Sequence, residues 1–170
     1  FCVRGAAPPE LYPCPLRDAL PIWIVVVVAP GDPSWPALGF THSRIDVGVG
    51  GVERCHSVLN GLRALPPDAS PEDWVLVHDA ARPCVSPEDI ERLIARVIGV
   101  GGASGGLLGT PIGDTLKRVD HDGFVKDTVP RDGLWRALTP QMFRLKPLAR
   151  SEVRRVGKEG VSPWSPSRHT

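Results

Sequence analysis

A ten-residue stretch, residues 74–83 (WVLVHDAARP), constrains the fold more than any other part of the chain. Its first half is a short apolar run with β-branched residues, which predicts a buried strand of the parallel kind. The run ends at Asp79, and a carboxylate at the carboxyl end of a strand in an open α/β sheet lies where such sheets bind ligands. Ser86, Pro87 and Asp89 then predict the start of a helix. The order of strand, carboxylate-bearing loop and helix therefore predicts an α/β fold with a candidate site at Asp79.

Further strands and helices are predicted on both sides of this stretch. Apolar runs predict strands at residues 22–29, 44–49 and 107–110, and helical spacing predicts helices at about 53–65 and 86–99. Asp122-Gly123, between residues 115–119 and 123–129, predicts a β-hairpin. The glycine-rich run at 99–106 lacks the Lys-Ser/Thr of a phosphate-binding loop and is interpreted as a connector.

Length and composition exclude several classes of protein. The chain has 170 residues, 42% of them hydrophobic, and a formal net charge of +1, which indicates one domain and no nucleic-acid partner. Its longest apolar run, residues 22–29, is far shorter than the roughly 20 residues that span a bilayer, so no membrane segment is predicted. Four cysteines without C-x-x-C spacing indicate neither a metal cluster nor a disulfide scaffold, and a reducing cytoplasm is the expected location.

The residue types by themselves do not decide whether these positions form a functional site. Asp79 also suits a solvated turn in which it caps backbone amides and Arg82 is a surface charge. Gly50-Gly51 suits a tight turn after a strand. A hairpin has too little core to stand alone, and the residues alone favour a hairpin that folds onto its own domain.

Four segments, in order, resemble the 2-C-methyl-D-erythritol 4-phosphate cytidylyltransferase family. They are residues 50–62 (GGVERCHSVLNGL), 77–83 (VHDAARP), 114–118 (DTLKR) and 133–141 (GLWRALTPQ). The resemblance implies a Rossmann-like three-layer nucleotidyltransferase sheet with a projecting β-arm at about residues 111–137.

The resemblance also assigns roles to individual residues. It implies that Gly50, Gly51 and Ser57 lie against the cytosine, and that Asp79 contacts the nucleotide and is a ligand of Mg²⁺. Val52 departs from relatives with a polar residue at that position, and Arg54 is interpreted as an anchor of the turn. The residues implied to bind the second substrate are Asp79, Arg82, Thr115, Arg131 and Thr139, with Arg131 as the catalytic residue that holds its phosphate.

The family reaction transfers a cytidylyl group from CTP to 2-C-methyl-D-erythritol 4-phosphate and releases pyrophosphate, in isoprenoid precursor synthesis by the non-mevalonate pathway. The resemblance implies a homodimer formed through the β-arm, with CTP and a sugar-alcohol phosphate as substrates. A ribitol-5-phosphate cytidylyltransferase and a catalytically incompetent fragment of the family are the alternatives. Ala80-Ala81 after Asp79 favours the methylerythritol enzyme over the ribitol enzyme.

Both ends of the chain depart from the family, so we expect the domain to be truncated at both ends. Residues 1–21 are expected to be irregular and non-native, residues 22–150 to form a partial domain, and residues 151–170 to be a disordered, non-native basic tail. The family's first strand and its glycine-rich loop, A-A-G-x-G-x-R, have no counterpart. We therefore expect a sheet without its central first strand and a chain that is inactive alone.

Overall fold

A computed structural model describes residues 2–5 and 23–159 of the chain. A six-stranded sheet has the order β3-β2-β1-β4-β8-β5, and β6 and β7 form a separate two-stranded ribbon. No helix within the described ranges has the length and hydropathy needed to cross a bilayer. In chain order, the elements are β1 (Cys2–Gly5), β2 (Trp23–Val28), α1 (Ser34–Ala37), β3 (Ile45–Val49), α2 (Arg54–Arg63), β4 (Trp74–Val77), α3 (Pro87–Gly99), β5 (Gly105–Pro111), β6 (Leu116–Val119), β7 (Val125–Val129), β8 (Trp135–Arg144) and α4 (Leu145–Glu159).

The directions of the strands differ from the prediction. β2 and β3 pair in parallel, but β4 pairs antiparallel with both of its neighbours, β1 and β8. The predicted parallel pairing of β4 is therefore wrong. Because β1 is antiparallel to β2 as well as to β4, the strands β2, β3 and β4 still run in the same direction. Their carboxyl ends lie at one edge of the sheet, which is where the candidate site was expected.

The central position of the sheet is filled by β1. Cys2 pairs with Val25 of β2 on one side and with Val77 of β4 on the other. The predictions that residues 1–21 are irregular and that the sheet lacks a central strand are wrong for Cys2–Gly5. Residues 1 and 6–21 lie outside the described residues.

The two faces of the sheet carry separate clusters of buried side chains, which confirms the predicted three-layer α/β architecture. The alternation of β4 distributes its residues between them, because Val75 and Val77 face one cluster and Trp74 faces the other. The first cluster consists of Val25, Val58, Leu62, Leu65, Val75, Val77 and Leu148, contributed partly by α2 and α4. The second consists of Trp74, Leu93, Val97 and Met142, with α3 over β4 and β8.

The start of α3 is set by the predicted cap. The backbone N–H of Asp89 donates to Ser86 Oγ at 3.1 Å, and the Ser86 hydroxyl donates to Asp89 Oδ2 at 3.0 Å. Leu93 and Val97 of α3 are buried against the sheet. This cap fixes the end of the loop that carries Asp79.

The arm, defined as β6, β7 and the turn between them, is formed as predicted but lies away from the domain. Asp120 Oδ1 accepts hydrogen bonds from the backbone N–H groups of Asp122 and Phe124, at 3.1 and 2.9 Å, and Gly123 adopts φ 87°. Phe124 is 72% exposed and Val125 61% exposed. The interpretation that the hairpin folds onto its own domain is therefore wrong.

The C-terminal part of the chain continues as a helix beyond the predicted limit of the domain. α4 extends to Glu159, so the predicted disorder from residue 151 is wrong as far as that residue. Leu148 and Glu152, four residues apart on the helix, are both buried. The disordered tail was predicted because of basic residues such as Arg154 and Arg155, which are exposed on α4. Residues 160–170 lie outside the described residues.

Candidate active site

The loop after β3 is held by backbone donors to β2 on one side and to the first turn of α2 on the other. The N–H of Gly50 donates to the carbonyl oxygen of Val28 at 2.7 Å, and the N–H of Gly51 donates to Ser57 Oγ at 3.0 Å. The Ser57 hydroxyl in turn donates to the carbonyl oxygen of Glu53 at 3.2 Å. These bonds fix the loop at the carboxyl edge of the sheet.

Space is tight around both glycines of this loop, and only Gly51 is required by it. A Cβ on Gly51 would lie 2.3 Å from His56 Cβ, and a Cβ on Gly50 would lie 3.1 Å from the carbonyl oxygen of Val28. His56 Cβ is attached directly to the backbone of α2, so it cannot turn aside. Val52, which follows, is 97% exposed and offers an apolar surface next to this loop.

The loop after β4 is tied to β8 and closed by its own backbone. The N–H of Asp79 donates to Thr139 Oγ1 at 3.3 Å, and Thr139 is buried in β8. The N–H of Arg82 donates to the carbonyl oxygen of Asp79 at 3.0 Å, which makes the turn. Asp79 is therefore held from two sides at the end of β4.

The carboxylate of Asp79 lies between two arginines. Arg54 Nε donates to Asp79 Oδ1 at 3.1 Å, and Arg82 Nε lies 3.7 Å from Asp79 Oδ2. The side chains are partly exposed, 31% for Asp79 and 47% for Arg54, so water screens this pair and each contact contributes modestly to stability. Arg54 is the first residue of α2, and its contact joins the loop after β3 to the loop after β4.

The structure brings six of the eight predicted site residues to one edge of the sheet. Gly50, Gly51 and Ser57 come from the loop after β3 and the start of α2, Asp79 and Arg82 come from the loop after β4, and Thr139 comes from β8. The other two, Thr115 and Arg131, flank the ribbon and are exposed. Arg131 Nη1 donates to the carbonyl oxygen of Gly113, and no hydrogen bond or ion pair within the described residues joins Thr115 or Arg131 to the other six.

Sequence reasoning missed one contact at this edge, the one between Arg54 and Asp79. It had interpreted Arg54 only as an anchor of the turn. The available signal was the common direction of β3 and β4, which end at the same edge of the sheet. Because β2 and β1 lie between them, that signal predicts a shared edge and not the contact itself.

The donor set limits how a metal ion could bind. Among the described residues, no three His, Cys, Asp or Glu side chains come together as a metal site. Mg²⁺ is often bound through one or two carboxylates, with substrate phosphates and water as the other ligands. The single carboxylate of Asp79 therefore suits an ion whose other ligands are mainly substrate phosphates. It does not suit an ion coordinated by protein ligands alone.

Comparison with known proteins identifies similar sequences and structures. The model of the 2-C-methyl-D-erythritol 4-phosphate cytidylyltransferase family matches residues 18–162, beyond the predicted limits of 22 and 150. A protein of that name from Dechloromonas aromatica (strain RCB) is 49% identical over 126 residues, which cover 72% of this chain and 54% of the relative. The chain spans about half the length of the curated relatives it matches.

Two crystal structures are similar over most of this chain. One, of a 4-diphosphocytidyl-2C-methyl-D-erythritol synthase, has a TM-score of 0.67 at 39% identity and covers 83% of this chain and 70% of its own. The other, the Francisella tularensis 2-C-methyl-D-erythritol 4-phosphate cytidylyltransferase, has a TM-score of 0.69 at 33% identity and covers 84% of this chain and 63% of its own.

Proposed function

The chain belongs to the 2-C-methyl-D-erythritol 4-phosphate cytidylyltransferase family, and from that premise we propose that it serves the transfer of a cytidylyl group from CTP to 2-C-methyl-D-erythritol 4-phosphate, with release of pyrophosphate. The observation that carries the proposal is the joining of two motif-bearing loops by the 3.1 Å contact between Arg54 Nε and Asp79 Oδ1. The reaction belongs to isoprenoid precursor synthesis, and we propose a cytoplasmic location from the cysteine spacing.

The loop after β3 would receive the cytosine. Glycine at positions 50 and 51 lets the backbone lie close to a base edge. Both N–H groups already donate, to the carbonyl oxygen of Val28 and to Ser57 Oγ, so the backbone carbonyl groups of the loop would make the contact with the base. Ser57 would act from the first turns of α2, where its hydroxyl already holds Gly51. The apolar side chain of Val52 adds no polar contact to the base.

Asp79 would hold a magnesium ion together with the triphosphate. Bound magnesium would neutralise charge on the phosphate oxygens during transfer. The attacking phosphate oxygen of the second substrate is already anionic at neutral pH, so Asp79 has no proton to remove. Its task is therefore to bind and align, as is general for phosphoryl transfer.

The second substrate would be held by Arg82, Thr139, Thr115 and Arg131. Arginine suits a phosphate because its planar donors meet two oxygens at once. Thr139 is fixed beside Asp79 by its hydrogen bond to the backbone of that residue. Arg131 is exposed at the base of an arm that lies away from its own domain, so we propose that it completes the site of a second copy of the chain.

Because the chain is expected to be inactive alone, Arg131 is tested in a chain that carries a family-type first strand and glycine-rich loop in place of residues 2–5. There, Arg131→Ala is expected to lower kcat/KM for the sugar-alcohol phosphate by about tenfold to a hundredfold, because charge-assisted hydrogen bonds to a phosphate are lost. The measurement is pyrophosphate release with CTP and magnesium, with 2-C-methyl-D-erythritol 4-phosphate and ribitol 5-phosphate offered separately and in competition. Lys126→Ala is the matched control, because it removes one positive charge from the same arm and should leave the rate unchanged. Equal use of the two acceptors, or preference for ribitol 5-phosphate, would contradict the proposed substrate.

The exposed arm is expected to pair two copies of the chain in solution. Sedimentation equilibrium of the full chain should show a dimer, and Phe124→Asp should weaken it at least about tenfold, because buried aromatic side chains dominate such interfaces. Leu38→Asp is the control, since Leu38 is 70% exposed and lies off the arm, against 72% for Phe124. A monomeric wild-type chain, or equal effects of the two variants, would exclude an arm-mediated dimer.

A further inference from the structure

The segment of residues 51–53, between β3 and α2, is fastened to the helix by two side chains. The backbone N–H of Gly51 donates to Ser57 Oγ at 3.0 Å. The backbone N–H of Glu53 donates to His56 Nδ1 at 3.3 Å. Both acceptors are side-chain atoms from the first turn of α2. The position of this segment therefore depends on the residue types of that turn as well as on strand pairing.

His56 contacts the segment at both of its ends. Its Nδ1 holds Glu53, and its Cβ lies so close to Gly51 that a Cβ added to the glycine would be 2.3 Å away. In return, the Glu53 side chain accepts a hydrogen bond from the backbone N–H of His56, which completes a reciprocal capping box. Val52, between the two contacts, is 97% exposed. One side chain thus braces the segment on which the proposed contact with cytosine depends.

The bond at Nδ1 requires a neutral imidazole ring. Because a backbone N–H can only donate, Nδ1 is the acceptor, and the proton of the ring lies on Nε2. His56 is the third residue of α2, a position at which glutamine or glutamate ordinarily accepts this hydrogen bond. A side chain without an acceptor at this position would leave the N–H of Glu53 without the bond.

We propose that His56 is a positioning residue for the nucleotide, because it fixes residues 51–53 in the place that receives CTP. The inference rests on the proposed function and names a further residue of the same site. A loop that occupies its binding position for only a fraction of the time binds its ligand more weakly by that fraction. Loss of one hydrogen bond changes such an equilibrium by about three- to tenfold.

The test compares two replacements of His56 in the full chain. His56→Leu keeps the Cβ and removes the acceptor, so it should raise the CTP dissociation constant, measured by isothermal titration calorimetry, by about three- to tenfold. His56→Gln keeps an acceptor within reach of the Glu53 N–H and should bind CTP as the wild type does. Hydrogen exchange of the Glu53 amide, followed by NMR, should become faster in His56→Leu only.

Val58→Ala is the control that separates positioning from loss of helix stability. Val58 is buried on the same helix, so this variant weakens the packing of α2 and leaves both acceptors of the segment in place. It should lower the unfolding temperature at least as much as His56→Leu does and leave CTP affinity unchanged. Equal weakening of CTP binding by Val58→Ala and His56→Leu, or weak binding that His56→Gln does not rescue, would overturn the inference.

Failure of this inference can be distinguished from failure of the proposed function by the wild-type titration. A wild-type chain that binds CTP, with the same dissociation constant in His56→Leu, keeps the function and loses the inference. A wild-type chain that binds no CTP contradicts both.

Discussion

Replacing Gly51 with alanine is expected to weaken CTP binding by about tenfold to a hundredfold, because overpacking a tight contact costs about 1–3 kcal/mol. The added Cβ would lie 2.3 Å from His56 Cβ and 3.3 Å from His56 Cγ. Since that carbon is fixed to the helix backbone, the loop rather than the side chain must move. The movement would break the 3.0 Å bond from Gly51 to Ser57, which holds the loop where the base is proposed to bind.

The measurement for Gly51→Ala is the CTP dissociation constant by isothermal titration calorimetry, with thermal unfolding recorded in parallel. Gly99→Ala is the matched control, because a Cβ at the end of α3 would meet nothing within 4 Å. The control should bind CTP as the wild type does. Overpacking should also lower the unfolding temperature of Gly51→Ala. A lowered unfolding temperature with unchanged CTP affinity would show that the glycine pair serves the turn and not the nucleotide.

Elements that depend on nearby residues were predicted well. The cap at Ser86 lies three residues from its partner Asp89, and the turn at Gly123 is closed by Asp120. Interactions of this range are readable from residue type and spacing. The strands β2 and β3 and the helices α2 and α3 were predicted for the same reason, with ends within two residues of those observed.

Pairing between distant segments was not predictable in this way. β4 was expected to be parallel because it is apolar and buried, but apolar character reports burial and not the direction of the neighbour. Cys2–Gly5 is four residues long and carries no pattern of its own. Its place is determined by β2 and β4, which offer unpaired backbone groups on both sides, and unpaired backbone groups in a buried sheet are costly.

In the candidate site, too, some features were predictable from the sequence and others were not. The positions of Gly50, Gly51, Ser57, Asp79, Arg82 and Thr139 at one edge follow from strand directions and motif order. The contact of Arg54 with Asp79 spans 25 residues and depends on how α2 sits beside β4. The roles assigned to these residues, and those of Thr115 and Arg131, stay predictions.

Grafting a parallel first strand with a glycine-rich loop is expected to raise the rate of pyrophosphate release by at least about a hundredfold, the usual effect of one well-placed transition-state donor. The reason is the direction of β1. Cys2 lies opposite Val77, and Gly5 lies opposite Trp74, so the chain leaves β1 at the edge of the sheet away from Asp79. A strand parallel to β2 and β4 in the same position would instead deliver its following loop to the edge where Asp79 and Gly50 lie.

The graft replaces residues 2–5 and the start of their connection with a family-type strand and the loop A-A-G-x-G-x-R. Successive backbone N–H groups of such a loop form an anion-binding concavity, and its arginine adds a charge that stabilises the phosphate undergoing transfer. The control graft carries the same strand with the loop glycines and arginine changed to alanine. A rate that rises equally with both grafts would attribute the gain to repair of the sheet. A rate that does not rise with the first graft, although CTP binds, would mean that the glycine-rich loop is not what limits catalysis by this chain.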